Sequence, residues 1–515
     1  MHIPTETFER LVGLVAISDR SVRDAQSVTE VFTGDELGRV PVGTADDVVT
    51  AVAKARAAQA QWASRPVADR AAVLDRFSTL VLKRADHVMD VLQAETGKAR
   101  GIAQTEVIDV ASNARYYAVQ APKLLAPRGV DPLLPVLTKT VVRYQPKGIV
   151  GVIGPWNYPI SLTIGDALPA LVAGNAVIIK PDSNTPFSVL ACAELLFEAG
   201  LPRDLLAVVP GPGSVVGSAI VESCDFLMFT GSTATGRHLA EQCGRRLIGF
   251  SAELGGKNPM IVTAGANLDR AARVAAHACF DNAGQLCLSI ERIYVEESVS
   301  SAFLDRFVEQ TQAIRVAPDY DFSATMGSLI STQHLETVDA HVADARAKGA
   351  TVVTGGRARP DLGPSFFEPT ILTGVTEEMA CFAGETFGPV VSVYPVADVD
   401  EAIRRANATE YGLNASVFAG SARAGEDIAA RLRAGTVNVD DGYSVAFGSL
   451  AAPMGGMGVS GLGRRHGPEG LLKYCESQTV GTAYTEIDSP LGLPADLARH
   501  VRTPIIRLLR VLPGR

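Results

Sequence analysis

The stretch GIVGVIGPWNYPISLTIGDALPALVAGNAVIIK, residues 148–180, decides the fold. Its ends, 149–153 and 177–180, are short runs of aliphatic and β-branched residues, the composition of buried strands. Between them, 161–173 carries apolar residues at helical spacing. Gly154, Pro155, Asn157, Pro159, Asp166, Pro169 and Asn175 interrupt the region. No run of about 20 apolar residues remains to span a membrane. Strand, loop, helix and strand in this order imply two parallel strands joined by a crossover helix.

The same alternation continues outward. Strands are expected at 206–209, 226–230 and 247–251, with helices at 186–199, 214–222 and 233–243. The strands are apolar on both faces, as a sheet covered on both sides requires. This is a Rossmann-like unit within an α/β fold. A second α/β run has strands at 260–262, 292–295, 390–394, 415–419 and 436–439. On the amino-terminal side the pattern is helical. Thr44 and Asp47 form a capping box before 48–63. Pro66 resets the chain before 67–83, and 86–96 ends at Gly97, a C′ glycine.

A chain of 515 residues is too long for one ordinary core. Its composition, 47% apolar and 20% charged, is globular. The formal charge is −9 and no long basic run occurs, which excludes nucleic acid as the expected partner. The start, MHIPTETFERLVGLV, has early acids and no small-residue cleavage site, so no signal peptide is expected. The seven cysteines are odd in number, irregularly spaced and without a CxxC pair. That argues against a disulfide framework and against a metal site, and for a reducing, cytoplasmic compartment.

Four segments stand apart in sequence: GPWNYP (154–159), FTGSTATG (229–236), ELGGKNP (253–259) and FDNAGQLCLSIER (280–292). ETFGPV (385–390) and the stretch 453–476, with GLGRRHGPEGLLKYCE, follow in order. Together they resemble the aldehyde dehydrogenase family over nearly the whole chain. The resemblance implies an NAD(P)-dependent oxidation of an aldehyde to an acid. It implies a Rossmann-type cofactor domain over 1–125 and 143–253, a second α/β catalytic domain over 254–450, and a β-strand oligomerisation flap over 126–142 and 473–490. The flap segments, near 139–144 and 477–484, alternate polar and apolar residues as edge strands do, and imply a homodimer or homotetramer. The remaining 491–515 is a tail, basic and amphipathic from 497 on, read as a surface helix.

By the same resemblance Cys287 is the nucleophile. A thiolate attacks the carbonyl, and the adduct expels hydride to leave a thioester. Asn157 supplies a side-chain amide to the oxyanion, where one lost donor costs about 2.7–4 kcal/mol. Glu253 activates the water that releases the acid. For the cofactor, GPGSVVG (211–217) and GSTATG (231–236) each open a helix, so backbone N–H groups can meet pyrophosphate. Ile153, Gly213, Phe229, Gly231 and Thr233 belong to this site, and Ser232 contacts the phosphate. Pro155 and Trp156 line the channel, Leu254 contacts the nicotinamide amide through its backbone, Glu385 holds the ribose and Phe387 packs near that ring. Lys180 binds the adenosine ribose. Ser183 stands where NAD-preferring members often carry a glutamate that repels a 2′-phosphate. NADP is therefore expected as the preferred cofactor, with acceptance of both as the alternative.

The pattern looks most like the succinate-semialdehyde branch, yet two positions depart from it. The arginines that often clamp the substrate carboxylate are replaced by Gly165 and Asp281. A glycine cannot clamp, and an aspartate repels. Two substrates stay open: succinate semialdehyde bound by other cations, or an uncharged aliphatic or aromatic aldehyde. A third departure is Arg465, where many members carry a glutamate thought to relay protons.

Overall fold

The structure is a computed structural model; it describes residues 3–132 and 137–486 and, beyond them, residues 492, 494, 496, 497, 500, 504 and 507. Most of the tail expected at 491–515 lies outside the described residues, as do 487–490 at the end of the flap segment.

The amino-terminal helices begin where the sequence places their caps. Thr44 accepts from the Asp47 N–H and Asp47 accepts from the Thr44 N–H, closing the capping box of helix Ala45–Ser64. That helix turns Val48, Ala51, Ala55 and Trp62 inward, and the Trp62 indole donates to the Leu171 carbonyl at 2.7 Å. Helix Ala85–Thr96 stops at Gly97, whose φ of 67° is left-handed. Helix Arg100–Leu124 was not among the expected elements. Its buried face carries Glu106, Asp109 and Asn113 among the alanines and valines, so it lacks a clean apolar stripe.

The first sheet has six strands in the order Gly461–Leu462, Gly249–Glu253, Phe226–Thr230, Ile149–Ile153, Ala176–Lys180 and Leu206–Val208. All pair in parallel except Gly461–Leu462. Ile149–Ile153 lies between the strand that follows it and Phe226–Thr230, so the connections diverge to either side of it. That divergence opens a crevice at the carboxyl ends of the strands, where ligands of such sheets bind. Register places Ile153 beside both Lys180 and Phe229 at this end.

One expected strand is displaced. The segment 247–251 is not the strand; Gly249–Glu253 is. Helix Thr233–Arg246 runs three residues further than expected and ends on Leu247, left-handed at φ 54° and 93% exposed. Leu247 and Ile248 look like strand residues because they are aliphatic, but here they turn the chain out of the helix. Two helices, 161–173 and 214–222, are also refined: each opens with a wider π-type turn, Ile160–Ile164 and Gly213–Gly217, before its α-helical part.

The second sheet has seven strands in the order Thr351–Thr354, Thr370–Thr373, Val390–Val396, Ile290–Glu296, Asn258–Val262, Asn414–Phe418 and Thr436–Val439. The first of these is antiparallel and the rest are parallel. The antiparallel strand and Thr370–Thr373 were not expected, nor was the hairpin Ala25–Thr29 with Glu36–Pro41. A third sheet joins Arg128–Val130, Thr138–Pro146 and Cys475–Ala483, all antiparallel. The two alternating segments thus pair with each other, Tyr144 opposite Ser477. Among the described residues no helix is long and apolar enough to cross a membrane.

Candidate active site

Cys287 reaches its position through a strained loop. Helix Leu268–Phe280, capped by the Asn267 side chain, ends at a tight turn over Asp281–Gly284. Asn282, Ala283 and Gly284 all take positive φ, at 53°, 55° and 70°. Asn adopts that region readily and Ala does not, so the loop stores on the order of 1–2 kcal/mol at Ala283. Gln285 then ties it down: its amide nitrogen donates to the Asn282 carbonyl at 2.9 Å, and its oxygen accepts from Ile330 N–H at 2.9 Å. After the turn the Asn258 amide donates to the Cys287 carbonyl at 2.7 Å and to the Ser289 carbonyl at 2.8 Å.

Gly284 fixes this loop against the chain at Gly388. A Cβ at Gly284 would run into the Gly388 carbonyl and lie 2.9 Å from the Pro389 nitrogen. Gly284→Ala therefore combines a forbidden φ with a backbone clash. We expect a loss of about 1–3 kcal/mol of stability, read by thermal unfolding. A shift of the thiol of about 1 Å should lower kcat about 100-fold. An alanine variant with native Tm and native kcat would show that the loop does not need this geometry.

Asn157 lies in the loop after strand Ile149–Ile153. Its side-chain amide donates to the Gln285 carbonyl at 3.0 Å, linking it directly to the cysteine loop. Its own carbonyl accepts from Asn282 at 3.2 Å and from the Lys98 ammonium at 2.9 Å. Lys98 forms a fully buried ion pair with Glu106, and Glu106 accepts from the Ile160 and Ser161 N–H groups at 2.8 and 3.1 Å. This pair braces the loop from behind. The sequence reading missed it, because nothing in TGK after a helix distinguishes Lys98 from a surface lysine.

Glu253 is the last residue of its strand, 2% exposed, and neither carboxylate oxygen has a protein partner. Burial raises its pKa to about 8, opposed by Arg465, Lys473 and Arg464 and assisted by Asp166. Cys287 is half-buried, whereas the other six cysteines, all free, are buried. Its thiol is pushed up to about 12 by desolvation, then by the Glu253 and Glu385 carboxylates; Arg465 pulls it down.

A cavity of about 260 Å³ joins these groups. Asn157, Glu253 and Cys287 line it together with Pro155, Trp156, Gly231, Ser232, Leu254, Glu385 and Phe387. Ten of the residues expected from sequence thus meet around one space. Gly255, in the ELGGKNP motif, also lines it; Leu162 and Thr230 complete the wall and were not expected. Glu385 accepts from the Gly256 N–H at 2.8 Å, and burial holds its pKa at about 8. Trp156 and Phe387 meet edge to face at 5.5 Å between centroids.

The other expected residues group next to that cavity. Ile153 and Lys180 pack against the turn Gly213–Gly217, 3.7 and 3.9 Å from where a Gly217 Cβ would be. The Phe229 ring packs on Gly231, and Thr233 opens its helix behind Ser232, the N-cap. Ser183 is half-buried three residues past Lys180, its carbonyl accepting from Gln26 at 3.1 Å.

Cys287 also packs against apolar side chains. Tyr158, Leu162, Leu286, Leu288, Leu413 and Met454 form a cluster, with Tyr443 and Phe447 packed on it. Gly165 carries no side chain here. Asp281 accepts from the Tyr443 hydroxyl at 2.6 Å and faces His277 at 3.4 Å.

A cysteine loop, an asparagine loop and a strand-end glutamate that meet around one cavity can be matched to known proteins. Residues 17–480 match the model of the aldehyde dehydrogenase family. A Mycolicibacterium smegmatis protein named "Putative succinate-semialdehyde dehydrogenase", with NADP(+) in its name, is 66% identical over 509 residues, covering 99% of this chain and 98% of its own. A Mycobacterium tuberculosis protein of the same kind of name is 62% identical over 511 residues, 99% of each chain. Among solved structures, an E. coli NADP dependent enzyme superposes with a TM-score of 0.85 at 34% identity, over 89% of this chain and 95% of that one. Betaine aldehyde dehydrogenase from Staphylococcus aureus in complex with NAD+ gives 0.88 at 28% identity, over 94% and 98%. Matched over almost its whole length, and by relatives that share about two residues in three, this chain belongs to the aldehyde dehydrogenase family.

Proposed function

We propose that the protein oxidises an aldehyde to the carboxylate with NADP, and that succinate semialdehyde, named for its relatives, is its substrate. The observation that carries the reading is the single cavity on which Cys287, Asn157 and Glu253 converge. The crevice also suits a dinucleotide: side chains at Gly231 and Gly255 would run into Phe229 and Glu385, and helix Thr233–Arg246 opens onto it. A bound nicotinamide supplies the hydride acceptor. Lys180, Ser183 and Gly213 would hold the adenosine end, Ser232 the phosphate, and Glu385 and Phe387 the nicotinamide end.

The chain's own residues do the rest. Cys287 adds its sulfur to the carbonyl carbon, giving a thiohemiacetal. One N–H of the Asn157 amide is held by Gln285, which leaves the other for the oxyanion. After hydride loss a thioester joins the acyl group to Cys287. Water then attacks its carbonyl and gives its proton to Glu253; the C–S bond breaks, the acid leaves, and the Cys287 sulfur takes that proton from Glu253 to restore the thiol. Glu253, raised to about 8, has the base strength this step requires. A glutamate in this place also speaks against transfer of the acyl group to CoA, which needs no water-activating base. Like its chemistry, a homo-oligomeric assembly through the three-stranded sheet and a cytoplasmic location are part of this reading.

A second substrate reading has a specific observation behind it. Cys287 packs on an apolar cluster, Gly165 offers no cation, and Asp281, hydrogen-bonded to Tyr443 beside that cluster, is a carboxyl group in place of a cation. Uncharged aliphatic or aromatic aldehydes fit such a wall. Comparing kcat/KM for succinate semialdehyde, hexanal and benzaldehyde decides between them. A large advantage for the neutral aldehydes would remove the semialdehyde assignment.

Cofactor choice rests on Lys180 and Ser183. Ser183→Glu places a carboxylate where the 2′-phosphate of NADP would lie. We expect the kcat/KM ratio of NADP to NAD to fall at least about tenfold, about 1.4 kcal/mol. A native enzyme with NAD efficiency tenfold above NADP would refute the NADP preference.

A further inference from the structure

A buried polar cluster lies behind the base, and its centre is Arg465. The segment after Gly463 passes under the apolar cluster, where Met454 and Arg465 exchange both backbone hydrogen bonds, at 2.8 and 2.7 Å. The Arg465 side chain is thereby carried fully inside, 2% exposed. One nitrogen, Nη2, donates to the Ser161 carbonyl at 2.9 Å and pairs with Asp166 at 3.3 Å. The same nitrogen lies 3.7 Å from where a Gly165 Cβ would be, so the missing side chain at 165 leaves it room. Nε and Nη1 have no protein partner. A guanidinium buried with two unpartnered donors is costly unless a charge within reach repays it.

Asp166 is one such charge at 3.3 Å; a second carboxyl group in the same buried cluster, without an ion pair to Arg465, is that of Glu253. Both of its oxygens are also buried and unpartnered, and Oε1 lies 2.9 Å from the Cβ position of Gly455, one residue from the Met454 bridge. Asp109 from helix Arg100–Leu124 and Asp166 from helix Gly165–Ala173 bring negative charge from the far side. Lys473 and Arg464 bring positive charge, with the Lys473 ammonium 3.3 Å from Ser251 Oγ, two residues before Glu253 on its strand. His466 is buried with both ring nitrogens unpartnered, and burial together with Arg465 and Lys473 lowers its pKa to about 3, so it is neutral.

We infer that Arg465 is a positioning residue that fixes the charge of the acid-releasing site, holding Glu253 as a carboxylate and favouring the Cys287 thiolate, with Asp166 as the counterweight that limits it. The inference rests on the aldehyde-oxidising reading for Glu253, but its charge effect can be read on Cys287 without any turnover. The electrostatic directions agree: Arg465 acts to lower both Glu253 and Cys287, and Asp166 acts to raise Glu253.

The test is the acid limb of the kcat–pH profile in three variants. Arg465→Gln removes the charge, and the limb should move up by about one pH unit or more. Arg465→Lys keeps the charge and should leave the limb near its native place. Asp166→Asn leaves Arg465 uncompensated, so the limb should move down. A merely structural role would lower kcat in Arg465→Gln and Asp166→Asn without moving their limbs in opposite directions. In parallel, the rate of Cys287 alkylation by iodoacetamide should fall at fixed pH in Arg465→Gln and return in Arg465→Lys. An unmoved limb with unchanged alkylation in Arg465→Gln overturns the inference, as does a limb that moves up in Asp166→Asn. If Arg465→Gln does not fold, the sign in Asp166→Asn and the native-like limb in Arg465→Lys decide. If no variant and not the native enzyme oxidises an aldehyde, the functional reading fails, while alkylation alone still judges Arg465.

Discussion

Cys287→Ala is expected to abolish aldehyde oxidation, with kcat at least about 10⁴-fold below native, while the fold and the cofactor crevice stay intact. The two expectations have different physical sources. In the proposed reaction the sulfur carries the covalent step, and no other cysteine can replace it: the other six are buried, and none of them lines the cavity. Stability changes little, because the loop is held by Gln285, Asn258 and Asn157 through backbone carbonyls rather than through the thiol. NADPH binding, followed by nicotinamide fluorescence, should therefore stay within about twofold, and Tm within a few degrees. Mass spectrometry of the native enzyme after brief iodoacetamide treatment should find one alkylated cysteine per subunit, at 287. Turnover above about one hundredth of native in Cys287→Ala would show that the nucleophile lies elsewhere.

Much of this site was legible before the structure, for an identifiable reason. Strands such as Ile149–Ile153 and Phe226–Thr230 are bounded by Gly or Asp and buried along their whole length, so composition and punctuation agree. Leu247 misled because aliphatic character does not tell a strand residue from a left-handed helix terminus. The long helix Arg100–Leu124 was overlooked because its buried polar residues satisfy partners elsewhere in the chain. Glu106 is paired with Lys98 and with the turn after Asn157, and no local window shows either. The same holds for Arg465 and Asp166, 299 positions apart by number, whose pairing exists only once the last segment has folded back under the first sheet. Sequence motifs named most of the residues that line the cavity. The long-range pairs that set their geometry and charge needed the coordinates.

The second large effect separates the two halves of the reaction. In Glu253→Gln the thiol, the Asn157 amide and the cofactor crevice are unchanged, so attack on the aldehyde and hydride loss should still proceed. What disappears is the base that takes the proton of the attacking water. Mixing this variant with NADP and aldehyde should produce a burst of about one NADPH per subunit, followed by turnover about 10²–10⁴-fold slower than native. The acyl group should then be found on Cys287 as a thioester by intact-mass measurement. Glutamine also removes a buried carboxylate that has no protein partner and whose burial raises its pKa to about 8. The variant should therefore be no less stable than native at neutral pH, where that pKa leaves the group mostly protonated and glutamine is close to a neutral isostere. A variant that shows no burst would place Glu253 in the activation of the thiol. One that turns over at the native rate would remove it from the mechanism. A burst followed by arrest is the expected outcome, because among the described residues Glu253 and Glu385 are the carboxylates on the cavity wall, and Glu385 is held by the Gly256 N–H.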